Sequence, residues 1–195
     1  MMRALQSPRL MLEPQTALHA PAMFELLSDP AIYTYENQPP ASLDALTQRF
    51  QRLESRQSTD GHEQWLNWVL RQRSDGQLIG YVQATVQADG RALVAYELAS
   101  RHWGQGLGSE AVQAMLDELA GGGPVRPAQQ VQQVQQVREV RQVQQVRQAL
   151  AIFKRPNHRS LALLLRLGFA DAATDDPARG ALEPDERLMA RSLPG

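Results

Sequence analysis

At 195 residues and 43% hydrophobic composition, the chain can bury the core of one domain, or of one domain carrying an insertion. A net charge of −1 gives no global field toward nucleic acid or an anionic membrane. The absence of cysteine excludes disulfides, thiolate metal sites and a cysteine nucleophile.

The first residues, "MMRALQSPRLMLEP", carry no signal-peptide pattern. No run of about 18 apolar residues offers a membrane helix. The expectation is a soluble cytoplasmic protein with no nucleic-acid or membrane partner.

In chain order, Arg9–Glu13 alternates Leu10 and Leu12 with other residues and predicts a short strand. In "APAMFELLSDP", Pro21 suits a first helical turn, Met23, Leu26 and Leu27 share one face, and Asp29-Pro30 stops the helix. "PPASLDALTQRFQRLES" gives a second helix, with Ser42 as N-cap and Leu43, Leu46, Phe50 and Leu53 as its apolar stripe. The period then shortens to two. "QWLNWVLRQ", "LIGYVQATVQ" and "ALVAYEL" predict three strands, joined at Asp75-Gly76 and Asp89-Gly90 into an antiparallel meander. "SEAVQAMLDELA" returns to helical spacing at Val112, Met115, Leu116 and Leu119, and Gly121–Gly123 with Pro124 ends it.

Residues 128–148 break every pattern. Valine recurs at each third position from Val131 to Val146. Such valines drift by about 60° per repeat around an α-helix, and they alternate faces on a strand, so no fixed apolar side results. The stretch from about 121 to 148 is read as a low-complexity Val/Gln/Arg insertion, and a partner-binding role for it is the weaker alternative. Residues 121–155 hold six basic and one acidic side chain (net +5), which leaves −6 on the rest of the chain.

"ALAIFKR" then predicts a strand. "PNHRSLALLLRLGF" predicts a helix with Asn157 as N-cap, Leu161, Leu164 and Leu165 buried, and Gly168 just past its end. "FADAAT" and "DERLMARSL" read as two final strands. The order β-α-α-β-β-β-α-β-α-β-β defines a mixed α/β (α+β) domain with a mostly antiparallel sheet and flanking helices, not a doubly wound repeat.

Between the third meander strand and its helix lies "RHWGQGLGSEAV", with Gly104, Gly106 and Gly108 at alternate positions. A glycine-rich turn leading into a helix leaves backbone N–H groups converging beside the positive end of the dipole, which suits a phosphate or pyrophosphate. No Gly-Lys-Ser/Thr follows, and the strands before it are hairpins, so neither a P-loop nor a Rossmann turn fits.

What remains resembles the GNAT N-acetyltransferase family, in which a [Gln/Arg]-x-x-Gly-x-Gly/Ala loop holds the pyrophosphate of acetyl-CoA. Trp103 stands where Gln or Arg is usual, as in the branch resembling the RimJ/RimL ribosomal-protein acetyltransferases. "SPRLMLEP", "GQLIGYVQ" and "NHRSLALLLRLGF" are similar to further segments of that branch, and the matched parts leave out only about residues 121–145.

The resemblance implies a GNAT fold and acetyl-CoA as cosubstrate, with no metal. The acceptor it implies is an amine, either a small molecule or a protein N-terminus, bound by a monomer or homodimer. It assigns the cofactor to Trp103, Gly104, Gln105, Gly106, Leu107, Gly108 and Ser109, and to Asn157 beside the pantetheine arm. A splayed, bulged fourth strand would offer the backbone of Tyr96, Glu97 and Leu98 to the acetyl carbonyl.

Glu97, ionisable at the end of an apolar strand, is the base candidate, against a simple solvent-facing or arginine-paired carboxylate. Ser160 is the candidate partner of the leaving thiolate, against a first-turn serine bonded to backbone. No tyrosine follows Tyr96, so the tyrosine acid of some relatives has no counterpart. The alternative is a degenerate domain that binds CoA as sensor or scaffold without turnover. His19, His62, His102 and His158 lack metal-ligand spacing. Glu110 is read as complementing the helix dipole, and Trp65, Asn67 and Trp68 as core strand residues or a wall of the acceptor pocket.

Overall fold

Alternating apolar residues and two Asp-Gly turns build the centre of the sheet. Gly76 and Gly90 adopt φ of 72° and 83°, the left-handed turn conformation that the meander needs. This computed structural model describes residues 2–35, 37–121 and 146–194. Most of the Val/Gln/Arg insertion therefore lies outside the described residues. Val146, the last valine of its repeat, is buried in the core.

Among the described residues the strands are β1 (Leu5–Gln6), β2 (Leu10–Pro14), β3 (Glu63–Gln72), β4 (Leu78–Gln87), β5 (Arg91–Leu98), β6 (Gln148–Lys154), β7 (Ala170–Asp171) and β8 (Glu186–Ser192). They form one sheet in the order β1-β2-β3-β4-β5-β6-β8-β7. Every pairing is antiparallel except β5 with β6.

Helices α1 (Ala20–Leu27) and α2 (Leu43–Leu53) cover one face, through Met23, Leu26, Leu27, Leu46 and Phe50 on Val69. Helices α3 (Leu107–Leu119) and α4 (His158–Arg166) cover the other, through Val112, Met115, Leu116, Leu119 and Leu164.

The predicted mixed fold and element order hold, with an added two-residue β1 that pairs with β2. Ser42 caps α2 by accepting the Ala45 N–H at 3.1 Å. Three local readings change. α3 begins at Leu107, inside the glycine stretch. Leu165, expected in the core, is 55% exposed, because the α4 stripe runs from Leu161 and Leu164 to Leu167 instead. "FADAAT" supplies only the short β7 at the sheet edge.

One feature of the sheet positions everything that follows. β5 and β6 pair only through Arg91–Leu93 and Gln148–Leu150, yet β5 continues to Leu98 and β6 to Lys154. The two strands splay and leave an opening between their ends. β5 keeps one unbroken register with β4 from Ala92 to Leu98, so the expected bulge is not in this strand pairing. The irregularity falls between β3 and β4, at Leu70/Arg71. Gly80 allows β4 its close approach to β5: a Cβ there would lie 2.1 Å from the Glu97 carbonyl oxygen.

Candidate active-site cleft

The splayed strand, the glycine turn and α4 enclose a cleft of about 290 Å³. Of the residues singled out from sequence, Tyr96, Glu97, Leu98, Trp103, Gly104, Gly106, Gly108, Ser109, Asn157 and Ser160 line it. Gln105 and Leu107 do not. The Gln105 amide folds back to donate to the Arg101 carbonyl, and the Leu107 side chain is buried under α3. Trp68 is core, with its indole N–H on the Arg3 carbonyl, and Asn67 is buried on β3; neither they nor Trp65 reach the cleft.

The geometry of the glycine turn suits an anion. Gly104 and Gly106 have φ of 73° and 78°, a region costly to any residue with a Cβ, and Gly106 is the N-cap of α3. The Gly106 carbonyl accepts from Glu110 N–H at 3.1 Å, the first bond of the helix. No side chain caps this end. Among the described residues, the N–H groups from Gly104 to Ser109 find no acceptor within the protein. Gly108 is needed for a different reason. Its Cβ would stand 3.0 Å from Leu163 Cδ1, so a hydrogen there lets α3 and α4 meet.

Acceptors around the turn are already engaged. Arg9 donates from Nη1 to the Gln105 carbonyl at 2.9 Å and from Nε to Glu110 at 2.7 Å. Glu110 also accepts from Ser7 Oγ and Arg9 N–H, at 2.6 and 2.7 Å. Burial alone would raise the Glu110 pKa; the bonds from Ser7 and Arg9 outweigh it and hold the carboxyl below its usual range. Glu110 thus pins the turn to the β1–β2 hairpin.

Sequence reasoning missed the cations. On α4, Arg159 sits with its guanidinium 3.8 Å above the Trp103 ring, and Arg166 donates to Ser109 Oγ at 3.2 Å. Both line the cleft. Their i, i+7 spacing puts them on one helix face, a signal passed over in favour of the leucine stripe. Ile32 and Tyr35 were missed as well, for they come from short turns with no periodicity, whereas His102, beside the glycine stretch, does line the cleft.

Ala99 N–H donates to the Ile79 carbonyl at 2.9 Å. With the antiparallel register, that bond turns the Leu98 amide away from β4 and toward the opening. The Leu98 carbonyl is taken by the Trp103 indole N–H at 2.9 Å. The Glu97 side chain projects to the α1/α2 face, where Tyr81, its cross-strand partner, hydrogen-bonds the carboxylate. Burial first, and then the Glu97 charge, push the phenols of Tyr81 and Tyr33 well above the ordinary tyrosine value, so both stay protonated.

On α4, Asn157 caps the helix by accepting Ser160 N–H at 3.1 Å, while Ser160 Oγ makes no hydrogen bond among the described residues. His102 Nε2 is buried without a partner. Burial, then the charge of Arg101, lowers its pKa and keeps the ring neutral.

Among the described residues no group of three or more His, Asp or Glu side chains is placed to hold a metal ion, and no helix is long and apolar enough to cross a membrane.

The sequence profile of the acetyltransferase (GNAT) domain matches residues 9–170. Over 118 residues, the chain is 27% identical to "Uncharacterized N-acetyltransferase p20" of Bacillus licheniformis. That match covers 60% of this chain and 65% of the relative, just under two thirds of the relative's length.

Three solved structures share the fold over nearly their full length. The ribosomal-protein-S5-alanine acetyltransferase from Vibrio fischeri superposes with a TM-score of 0.72 at 14% identity, covering 98% of this chain and 97% of that one. The ribosomal L7/L12 α-N-protein acetyltransferase RimL, solved in complex with coenzyme A, gives 0.71 at 16% identity and 98% of both chains. A GNAT-family acetyltransferase from Bacillus anthracis gives 0.69 at 13%, covering 98% and 99%.

Proposed function

The chain belongs to the GNAT acetyltransferase family, and from that premise we propose that it moves the acetyl group of acetyl-CoA to a primary amine, by direct attack in a ternary complex. The observation that carries this reading is the set of N–H groups from Gly104 to Ser109, left without internal acceptors where a splayed strand opens onto a cleft. The residues fit the cosubstrate. A pyrophosphate at this turn would accept from those amides, with Arg159 and Arg166 on α4 and Arg9 on β1–β2 adding positive charge. The gap between β5 and β6 is the natural course for the pantetheine arm, past Asn157.

Bound acetyl-CoA supplies a thioester whose carbonyl carbon is open to an amine. The Leu98 N–H, held in place because its own carbonyl is tied to Trp103, would donate to the carbonyl oxygen as negative charge grows there. Glu97 would take the proton from the attacking amine, with Tyr81 fixing the carboxylate and lending it a hydrogen bond. Ser160 Oγ, which has no other partner among the described residues, would donate to the departing sulfur. The acceptor is a small-molecule amine or a protein N-terminus. Similarity of the loop sequence to the RimJ/RimL-like branch favours the second, and a cytoplasmic setting follows from the same reading.

Calorimetry with CoA and a thiol-release assay over a panel of small amines and peptides with free N-termini test the proposal. The expected result is CoA binding with amine-dependent thiol release, reduced in Glu97→Gln by about 10²-fold while CoA affinity holds. CoA binding without release for any amine would favour the sensor or scaffold reading. No CoA binding would refute both.

A further inference from the structure

Two parts of the cleft lining, besides β5 and α4, come from distant parts of the chain. One is the turn leading into α3, beginning with the short helical turn Ser100–His102. The other is the segment after α1, the turn Pro30–Tyr33 and the residues following it, which bring Ile32 and Tyr35 to the cleft. A single carboxylate bridges them.

Asp29 Oδ1 accepts from the Ala31 N–H at 2.9 Å and caps the Pro30–Tyr33 turn. Its Oδ2 accepts from Ser100 Oγ at 2.5 Å and, more weakly, from the Ser100 N–H at 3.4 Å. Ser100 in turn accepts the Trp103 N–H on its carbonyl at 3.1 Å, and the Ala99 carbonyl accepts from His102 N–H. Asp29 therefore touches, within one side chain, the turn that carries Ile32 and the turn that carries His102 and Trp103. The far end of the Pro30–Tyr33 turn is fixed separately, by the Tyr33 hydroxyl donating to the Leu27 carbonyl at 2.8 Å.

Resting on the acetyl-CoA reading above, we propose that Asp29 is a positioning residue that couples the cofactor turn to the opposite wall of the cleft, so that filling the turn with CoA orders the segment around Ile32 and Tyr35. The physical reason is that a ligand gripping Gly104–Ser109 restrains the Ser100–Trp103 turn just before it, and the short Asp29–Ser100 bond passes that restraint across a gap that nothing covalent spans. Such coupling needs a contact present in the ordered state and absent in the loose one. The hydroxyl–carboxylate bond is that contact in this structure, and in the loose state it would be broken.

The test is hydrogen exchange read by mass spectrometry, with and without saturating CoA, on wild type, Asp29→Asn and Ser100→Ala; it needs no acceptor. With its Oδ1 on the Ala31 N–H, Asn retains the cap and the local turn survives, while its NH2 replaces the acceptor used by Ser100. Ser100→Ala deletes the hydroxyl alone. Thermal melts confirm that each variant is folded.

In wild type, CoA is expected to slow exchange about fivefold or more both in residues 104–112 and in residues 30–35. In both variants the protection of 104–112 persists while that of 30–35 falls to less than about twofold. Unchanged protection of 30–35 in the variants overturns the proposal, and so does wild-type protection confined to 104–112. Absence of CoA protection at 104–112 in wild type would instead overturn the acetyl-CoA reading on which it rests.

Discussion

Placing a carboxylate in the glycine turn is the sharpest test of where the phosphates sit. At Gly106 an added Cβ meets nothing nearer than Arg9 Nη2, at 3.5 Å, so Gly106→Glu fits sterically. Its φ of 78° costs a side-chain-bearing residue about 1–2 kcal/mol, but that strain is present with and without ligand and falls on stability. Affinity is changed by charge. One carboxylate about 5 Å from two phosphoryl charges, at an effective dielectric constant of about 40, is repelled by about 3 kcal/mol, or about 2 kcal/mol after screening at physiological salt. Kd for CoA should therefore rise about thirty- to two-hundredfold. Gly106→Gln, with the same φ cost and no charge, should weaken binding only a few-fold, and raising the salt to about 1 M should bring the two variants together. Isothermal calorimetry on variants shown to be folded by thermal melting reads all three. A Gly106→Glu protein binding CoA within about threefold of wild type would refute the assignment of the pyrophosphate to this turn.

Arg9→Ala removes the clamp on Gln105 O and Glu110, and should raise the CoA Kd about tenfold while α3 stays folded, read by calorimetry and circular dichroism. Glu110→Gln breaks charge-assisted bonds to Ser7 and Arg9 and should cost about 1–2 kcal/mol at pH 7, a drop of about 2–8 °C in Tm. Because the Glu110 pKa is depressed in the folded state, its contribution is present above the ordinary value of 4.5 and is lost as pH falls through the lowered folded-state value; the Tm gap between wild type and variant should narrow as the pH is taken progressively below 4.5. Gly80→Ala must drive β4 and β5 apart by about 1 Å, since backbone cannot yield as a side chain can; an overpacking cost of about 1–3 kcal/mol and a loss of turnover of about 10²-fold should appear together, with CoA affinity nearly kept.

The glycine trio illustrates what a sequence reveals and what it hides. Alternate spacing pointed to the same reasons for all three, a close-approaching anion and positive φ. In the fold there are two causes, since Gly104 and Gly106 are demanded by left-handed φ and Gly108 by the contact of α3 with Leu163. Element types were legible because the periods of 2 and 3.6 are local and the Asp-Gly turns are strong. The α4 face was not, because five leucines from Leu161 to Leu167 offer more than one stripe, and only the docking direction chooses Leu164 and Leu167 over Leu165. Most of the predicted site residues meet in the cleft because the motif is nearly contiguous in sequence. Arg9, Ile32, Tyr35 and Asp29 could not be placed, for each reaches the site from an element far away in the chain, and contacts such as Asp29–Ser100 leave no periodic trace.

The same long-range contacts explain why the cradle stays open. Six N–H donors at a helix start form an electropositive concavity, and a nearby anionic side chain would be expected to close it. Glu110 is the nearest such group, one turn into α3. It is held by Ser7 Oγ, Arg9 N–H and the Arg9 guanidinium, so its oxygens point to the β1–β2 hairpin and not into the turn. Arg9 also takes the Gln105 carbonyl, the acceptor most able to compete within the loop itself. The Gln105 carbonyl is thus taken by a cation while the turn's donors are left over. Water serves the exposed donors in the free protein, and an anion from outside would be the stronger acceptor. A glycine-rich turn alone would collapse onto its own carbonyls or its own glutamate. On the proposed reading it is the β1–β2 hairpin, through Ser7 and Arg9, that keeps this turn open to an anion.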